Sequence, residues 1–93
     1  MNAIIQILKQ HKEELFKKYP LKSIALFGSY SRGEETKESD VDVMVELSIP
    51  DARAFINLSH ELETIVNRKV DLVSKNGVKE RYMSSIENDL LYV

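Results

Sequence analysis

Apolar residues recur along the chain at two spacings, one typical of helices and one typical of strands. Helical spacing predicts a first helix over 2–18, with Asn2 as its N-cap and Pro20 as its stop. A second long helix is expected after Ser48-Ile49-Pro50-Asp51, whose S-x-x-D spacing is typical of a capping box. A last helix is predicted over 78–88. The apolar stripes of the first two helices are Ile4, Leu8, Leu15 and Tyr19, and Phe55, Leu58, Leu62 and Ile65.

Shorter segments between these helices have the pattern of strands. A short apolar run over 23–27 predicts a strand buried on both faces, and strict alternation over 40–46 predicts a second strand. A third strand is predicted over 69–73, while 30–39 reads as one or two helical turns and a loop. The tail 90–93 is a possible final strand. This order predicts an α/β (α+β) fold with one small mixed sheet and helices packed on it.

The amino-acid composition excludes several classes of function. The 93 residues contain no cysteine, which excludes thiol catalysis and cysteine-based zinc sites. With 13 Lys+Arg against 15 Asp+Glu, the net charge of −2 argues against nucleic acid as a partner. No apolar run is long enough for a membrane span. We therefore expect one domain over 1–93, located in the cytoplasm.

A glycine-containing segment follows the first predicted strand, Gly28-Ser29-Tyr30-Ser31-Arg32-Gly33. Free backbone N–H groups at a strand-to-helix junction, together with the helix dipole, favour an anion such as phosphate. Gly28 would allow close approach, Ser29 would supply a donor, and Arg32 would add a planar cation. Gly-Ser turns are common, however, so the segment taken alone also fits a plain turn.

Three acidic residues favour a functional site over a plain turn at this segment. Asp40 and Asp42 are two positions apart on a predicted strand, so their carboxylates share a face and repel each other unless a cation lies between them. Asp71 lies between apolar residues of the third predicted strand, and we expect it to be buried, which is costly for an unpaired carboxylate. If the two strands are neighbours, the three acids converge on one pocket. Oxygen ligands of this kind suit Mg²⁺ or Mn²⁺.

Together these residues match the motif of a known protein family. Gly28-Ser29-x-x-Arg32-Gly33, Ser39-Asp40-x-Asp42 and the later Asp71 resemble the nucleotidyltransferases of the DNA polymerase β superfamily. The short chain is similar to the minimal nucleotidyltransferase (MNT) branch, whose members are antitoxins encoded beside HEPN-domain toxins. The sequence has Ser31 and Val43 where alanine and leucine are frequent, and neither difference removes a functional group.

The resemblance implies a role for each of these residues. Gly28 and Ser29 would hold a triphosphate with Arg32 close to the phosphates. Asp40, Asp42 and Asp71 would ligate two Mg²⁺ ions, with Asp71 beside the incoming hydroxyl. The nucleotide would be ATP, and AMP would be transferred to a hydroxyl, expected to be a tyrosine, of a HEPN toxin partner, with release of pyrophosphate.

Two alternatives remain open at this stage. The chain could neutralise a HEPN partner by binding alone, in a hetero-oligomer with little or no catalysis. It could also act on a small molecule, although no second domain is available to grip one. The tail 90–93 fits either a plain edge strand or part of a partner interface.

Overall fold

The computed structural model describes residues 3–93, which form a four-stranded sheet with helices on both faces. The helices are α1 (Ala3–Lys18), α2 (Ser29–Arg32), α3 (Ala52–Val66) and α4 (Glu80–Ile86), and the strands are β1 (Leu21–Phe27), β2 (Val41–Leu47), β3 (Val70–Ser74) and β4 (Leu91–Tyr92). The strand order is β3-β2-β1-β4; β2 and β3 are parallel, and the other pairs are antiparallel. The predicted α/β fold with one small mixed sheet is confirmed.

One face of the sheet carries the hydrophobic core. Val41, Val43 and Val45 of β2 are fully buried on this face, as the alternation predicted, and they pack with the apolar stripes of α1 and α3. Leu58 and Leu62 of α3 are also inaccessible to solvent. Burial of each such side chain contributes about 1.5–3 kcal/mol, so this layer supplies much of the stability and fixes the position of β2 and β3.

The opposite face of the sheet is less completely covered by helices. Ala25 and Met44 are buried there as register partners, so the middle of β1 is buried on both faces as predicted. Further along the same face lies the row formed by Phe27, Asp42 and Asp71. The helix that approaches this row, α4, has no fully buried residue. The polar end of the face therefore stays open to solvent.

The start of α3 differs from the prediction. Its N-cap is Asp51, whose Oδ1 accepts a hydrogen bond of 3.1 Å from the amide of Ala54. The hydroxyl of Ser48 instead donates to the carbonyl of Pro20 at 3.2 Å. The capping box expected at Ser48 is therefore wrong, because the extended residue immediately before the helix is Asp51.

The other helix boundaries are close to the predicted ones. Asn2, the expected N-cap of α1, lies outside the described residues, and α1 ends at Lys18 before Pro20. The last helix is shorter than predicted because 3-10 turns at Lys75–Gly77 and Glu87–Asp89 flank α4. Within residues 3–93, none of the helices has both the length and the apolarity needed to cross a membrane.

A polar cluster joins the end of α1 to α3. The hydroxyl of Tyr19 donates to Glu61 Oε1 at 2.7 Å, and Lys18 Nζ lies 3.1 Å from the same oxygen. Burial, together with the hydrogen bond to Glu61, raises the pKa of Tyr19 to about 12. Burial opposes ionisation of Glu61, but the hydrogen bonds from Tyr19 and Lys18 outweigh it and lower the pKa of Glu61. This cluster fixes α1 against α3 away from the polar end of the sheet.

Candidate functional site

Gly28 makes the turn from β1 into α2. Its φ of 73° and ψ of −151° lie in a region that essentially only glycine adopts. Its carbonyl accepts hydrogen bonds from the amides of Ser31 and Arg32 and from the Ser31 hydroxyl. A Cβ at position 28 would overlap the carboxylate of Asp42. Backbone conformation and space therefore both require glycine here.

Ser29 lies at the first position of α2, where a bound anion would meet it. Its carbonyl accepts the amide of Gly33, which closes the helix in the left-handed conformation, and the amide of Glu34 at 2.9 Å. Its side chain is half-buried and makes no hydrogen bond to another part of residues 3–93. The Ser29 hydroxyl is thus available as a donor beside the Gly28 turn.

Asp42 and Asp71 lie side by side across β2 and β3, whereas Asp40 precedes β2. Asp42 and Asp71 are register partners in the parallel ladder, so their side chains lie on the same face of the sheet. Asp42 is also the register partner of Phe27, which immediately precedes the Gly28 turn. Asp40 lies just before β2, which begins where the amide of Val41 donates to the Lys69 carbonyl at 2.9 Å. The fold therefore brings the glycine turn and the acids to one end of the sheet.

This arrangement changes the electrostatic environment of Asp42. It is half-buried, and burial, the charge of Asp71 and the charge of Asp40, in that order, raise its pKa. The positive charge of Arg32 acts in the opposite direction. Desolvation and like charges both disfavour the ionised form. Asp42 is therefore a carboxylate that a nearby cation would stabilise strongly.

The expectation that Asp71 is buried is wrong. Asp71 is exposed, although Val70 before it is only 6% exposed on the core face. The reason is that β3 is an edge strand and α4 leaves its outer face open. Register with Asp42, rather than burial, is what ties Asp71 to the site.

The three acids expected to ligate metal do not form a closed cluster among the described residues. Among residues 3–93, no group of three or more His, Cys, Asp or Glu side chains is arranged so that it could hold a metal ion. Asp42 and Asp71 nevertheless face each other with only carboxylate oxygens to offer, the ligands that Mg²⁺ prefers. Burial raises the pKa of Asp42, and the charges of Asp71 and Asp40 add to it; a divalent cation would neutralise these like charges. The donor set fits magnesium.

Arg32 has two acidic partners that the sequence did not indicate. Its Nε lies 2.6 Å from Glu34 Oε1, and its Nη1 lies 2.8 Å from Asp89 Oδ2. Hydrogen bonds to Glu34 and then Asp89 raise the pKa of Arg32 further above its ordinary value. Glu34 is two positions away, but Asp89 is 57 positions distant, and no local pattern links it to Arg32. A phosphate at Arg32 would compete with these carboxylates.

Sequence comparison identifies relatives over the whole chain. A family model described as a nucleotidyltransferase domain matches residues 8–93. A protein of Methanocaldococcus jannaschii, whose assigned activity of protein adenylyltransferase is itself a prediction, is 47% identical over 100% of this chain and 97% of its own length. The protein adenylyltransferase MntA of Thermococcus cleftensis is 37% identical over 100% of this chain and 95% of its own length.

Comparison of folds agrees with this result. A crystal structure of a toxin–antitoxin with AMP-PNP superimposes with a TM-score of 0.75 at 25% identity. The similarity covers 90% of this chain and 70% of the chain compared. The similarity to known proteins therefore includes the arrangement of the sheet and helices as well as the sequence.

Proposed function

This chain belongs to the nucleotidyltransferase domain family, and from that premise we propose that it transfers AMP from ATP to a hydroxyl of a HEPN-domain toxin, for which it acts as an antitoxin. The observation that carries the proposal is the register of Asp42 with Asp71 beside the Gly28 turn. That arrangement brings the Gly28 turn and paired carboxylates to one end of the sheet. The similarity to MntA, a protein adenylyltransferase, and to a toxin–antitoxin bound to AMP-PNP supports the choice of nucleotide and partner.

We propose that the phosphates of ATP bind at the Gly28 turn. Gly28 allows a phosphate to approach the backbone, and the Ser29 hydroxyl donates to a phosphate oxygen. Arg32 exchanges one of its carboxylate partners for the polyphosphate, because a guanidinium pairs with either anion in the same planar geometry. These contacts orient the triphosphate with its α-phosphorus toward the acids.

We propose that the acceptor hydroxyl binds beside the three acidic residues. Asp40, Asp42 and Asp71 would hold Mg²⁺, which when bound neutralises the triphosphate and the carboxylates together. Asp71 is exposed at the edge of the sheet, where an acceptor hydroxyl from another protein can reach it. Its carboxylate orients that hydroxyl and takes its proton. A tyrosine of the HEPN partner is the acceptor we propose, and pyrophosphate is the leaving group.

A mass measurement tests this function. The chain is incubated with ATP, Mg²⁺ and a HEPN-domain protein from the same genome, and the intact mass of the partner is recorded. We expect a gain of about 329 Da per AMP added. The Asp40→Asn/Asp42→Asn variant should leave the mass of the partner unchanged and fail to neutralise it in cells. Glu35→Gln/Glu38→Gln, which removes the same charge from two exposed loop positions, should behave as wild type.

The same experiment separates catalysis from neutralisation by binding alone. An antitoxin of the second kind would protect cells equally well as the Asp40→Asn/Asp42→Asn variant, and no sample would gain mass. Full protection by that variant would therefore contradict the proposed transfer.

A further inference from the structure

A cavity of about 400 Å³ opens beside the acids on the same face of the sheet. It lies between the outer end of the sheet and α4. Its principal lining residues are Phe27, Asp71, Val73, Val78, Tyr82 and Ile86. Phe27 and Asp71 are the two register neighbours of Asp42, so the cavity is continuous with the proposed transfer site.

The cavity contains a phenol that the proposed function does not use. Tyr82 lies in α4, and its side chain is 56% exposed although it lines the cavity together with Asp71. The guanidinium of Arg81 lies 5.3 Å from the centre of the Tyr82 ring. Tyr82 thus lines the same small cavity as Asp71, the residue that we assign to receive the acceptor proton.

The other three tyrosines are unsuited to the same role. Tyr19 donates its hydroxyl to Glu61 on the far side of the fold, and Tyr30 is only 5% exposed. Tyr92 is 53% exposed, but it lies on β4, three strands from β3. At about 4.8 Å per strand, that places it about 14 Å away along the sheet. Tyr82 alone combines exposure with a place in the cavity.

From this arrangement we propose that the chain adenylylates its own Tyr82 when no partner occupies the site. The proposal rests on the proposed function, since the same ATP is the donor. The Tyr82 hydroxyl oxygen forms a bond to the α-phosphorus of ATP, and the bond from that phosphorus to the bridging oxygen of the β-phosphate breaks. Pyrophosphate leaves, and the phenolic proton passes to the carboxylate of Asp71.

The packing of α4 allows Tyr82 to move toward the nucleotide. The helix has only seven residues, none of them fully buried, and 3-10 turns flank it on both sides. Segments with few buried contacts shift at low free-energy cost. Because Tyr82 and Asp71 of the same chain line one cavity, we expect the reaction to be intramolecular, with a rate independent of protein concentration.

Intact mass and peptide mapping test the proposal on the chain alone. With ATP and Mg²⁺ we expect a gain of about 329 Da, located on the peptide that contains Tyr82. Tyr82→Phe should abolish the gain, whereas Tyr92→Phe, which removes an equally exposed phenol, should leave it unchanged. A rate that rises with protein concentration, or AMP on Tyr92, would overturn the proposal.

A second measurement tests the position of Tyr82 without requiring AMP transfer. Nitration by tetranitromethane should modify Tyr82 and Tyr92 in the free chain, because both are exposed. The non-transferable analogue α,β-methylene ATP, added with Mg²⁺, should protect Tyr82 and leave Tyr92 reactive. Equal nitration of the two residues with the analogue bound would also overturn the proposal.

A parallel reaction with the HEPN-domain protein distinguishes the two proposals. If the partner gains AMP and the isolated chain never does, self-modification is excluded and the proposed function stands. If neither protein gains mass, both proposals fail. If the chain gains AMP on Tyr82 and the partner does not, the transfer chemistry is supported and the partner assignment fails.

Discussion

The Cα of Gly28 lies against the carboxylate of Asp42, so that a Cβ at position 28 would overlap the carboxylate and stand 3.1 Å from its Cγ. The contact joins the turn after β1 to the second residue of β2. Any side chain added at position 28 must therefore displace the carboxylate of Asp42. Phosphate binding and metal binding are coupled through this contact in the proposed mechanism.

Gly28→Ala should destabilise the fold and abolish transfer. Backbone strain at φ 73° and overlap with Asp42 together should cost about 3 kcal/mol of unfolding free energy. Gly33→Ala is the matched control, because Gly33 has φ 70° but no atom within 4 Å of an added Cβ. It should cost only about 1 kcal/mol. Urea denaturation measures both values.

A double-mutant cycle isolates the contact itself. In an Asp42→Ala background the carboxylate is gone, so the cost of Gly28→Ala should fall, while the cost of Gly33→Ala should not change. Equal costs of Gly28→Ala in the two backgrounds would show that the contact with Asp42 contributes nothing.

Asp42→Asn should make the unliganded fold more stable at neutral pH. Because the folded state raises the pKa of Asp42, its stabilising contribution is present below about pH 4 and is lost as the pH rises through the raised value. Removing the charge should therefore raise the Tm at pH 7 by about 2–4 °C, with the difference closing below about pH 4. Glu35→Gln, an exposed residue, should show no such pH-dependent gain. Calorimetry without metal or nucleotide, at pH 3.5 and pH 7, makes the comparison.

Tyr19→Phe should weaken the attachment of α1 to α3. Loss of the hydrogen bond to Glu61 should cost about 1.5 kcal/mol at pH 7, against less than about 0.5 kcal/mol for the exposed control Tyr92→Phe. Since the folded state lowers the pKa of Glu61, this stabilisation is present above the usual glutamate value and is lost as the pH falls through the lowered one. Denaturation curves should therefore converge for wild type and Tyr19→Phe at low pH. A gap that stays constant down to pH 3 would rule out this origin.

Asp89→Asn should tighten nucleotide binding. Asp89 holds Arg32 at 2.8 Å, so neutralising it leaves the guanidinium with one fewer competing anion. Titration calorimetry with α,β-methylene ATP and Mg²⁺ should show a Kd lower by about threefold. Glu87→Gln changes the same charge in the same 3-10 turn at an exposed position and should leave the Kd unchanged. Weaker binding by Asp89→Asn would mean that the ion pair positions Arg32 for the phosphates.

The sequence predicted the order of elements because apolar spacing reflects the local geometry of helices and strands. It also indicated Asp42 and Asp71 as a possible pair, since two strands with acids on one face need only be neighbours. The edge position of Asp71 was not predictable from Val70 and Leu72. Flanking apolar residues report burial of the core face and carry no information about what covers the other face.

Contacts between distant segments were also beyond the sequence. Nothing in the local pattern links Arg32 to Asp89, or Tyr19 to Glu61, because both pairs depend on how separate elements pack. The N-cap of α3 was misassigned for a related reason: Ser48 and Asp51 both fit a cap, and only the backbone conformation distinguishes them. The tail at 90–93 proved to contain an edge strand, β4, paired with β1.

The parallel pairing of β2 with β3 has a consequence for the order of folding. Parallel neighbours cannot be joined by a tight turn, so β3 reaches β2 only after α3 has crossed over the sheet. Contacts of this sequence separation form late, because the entropy of closing the intervening chain must be overcome first. A nascent chain in which only β1 and β2 have paired holds Asp42 without Asp71. In the proposed mechanism, the pair of acids assigned to AMP transfer is therefore completed only after β3 has joined β2, and a chain folded only as far as β2 lacks Asp71.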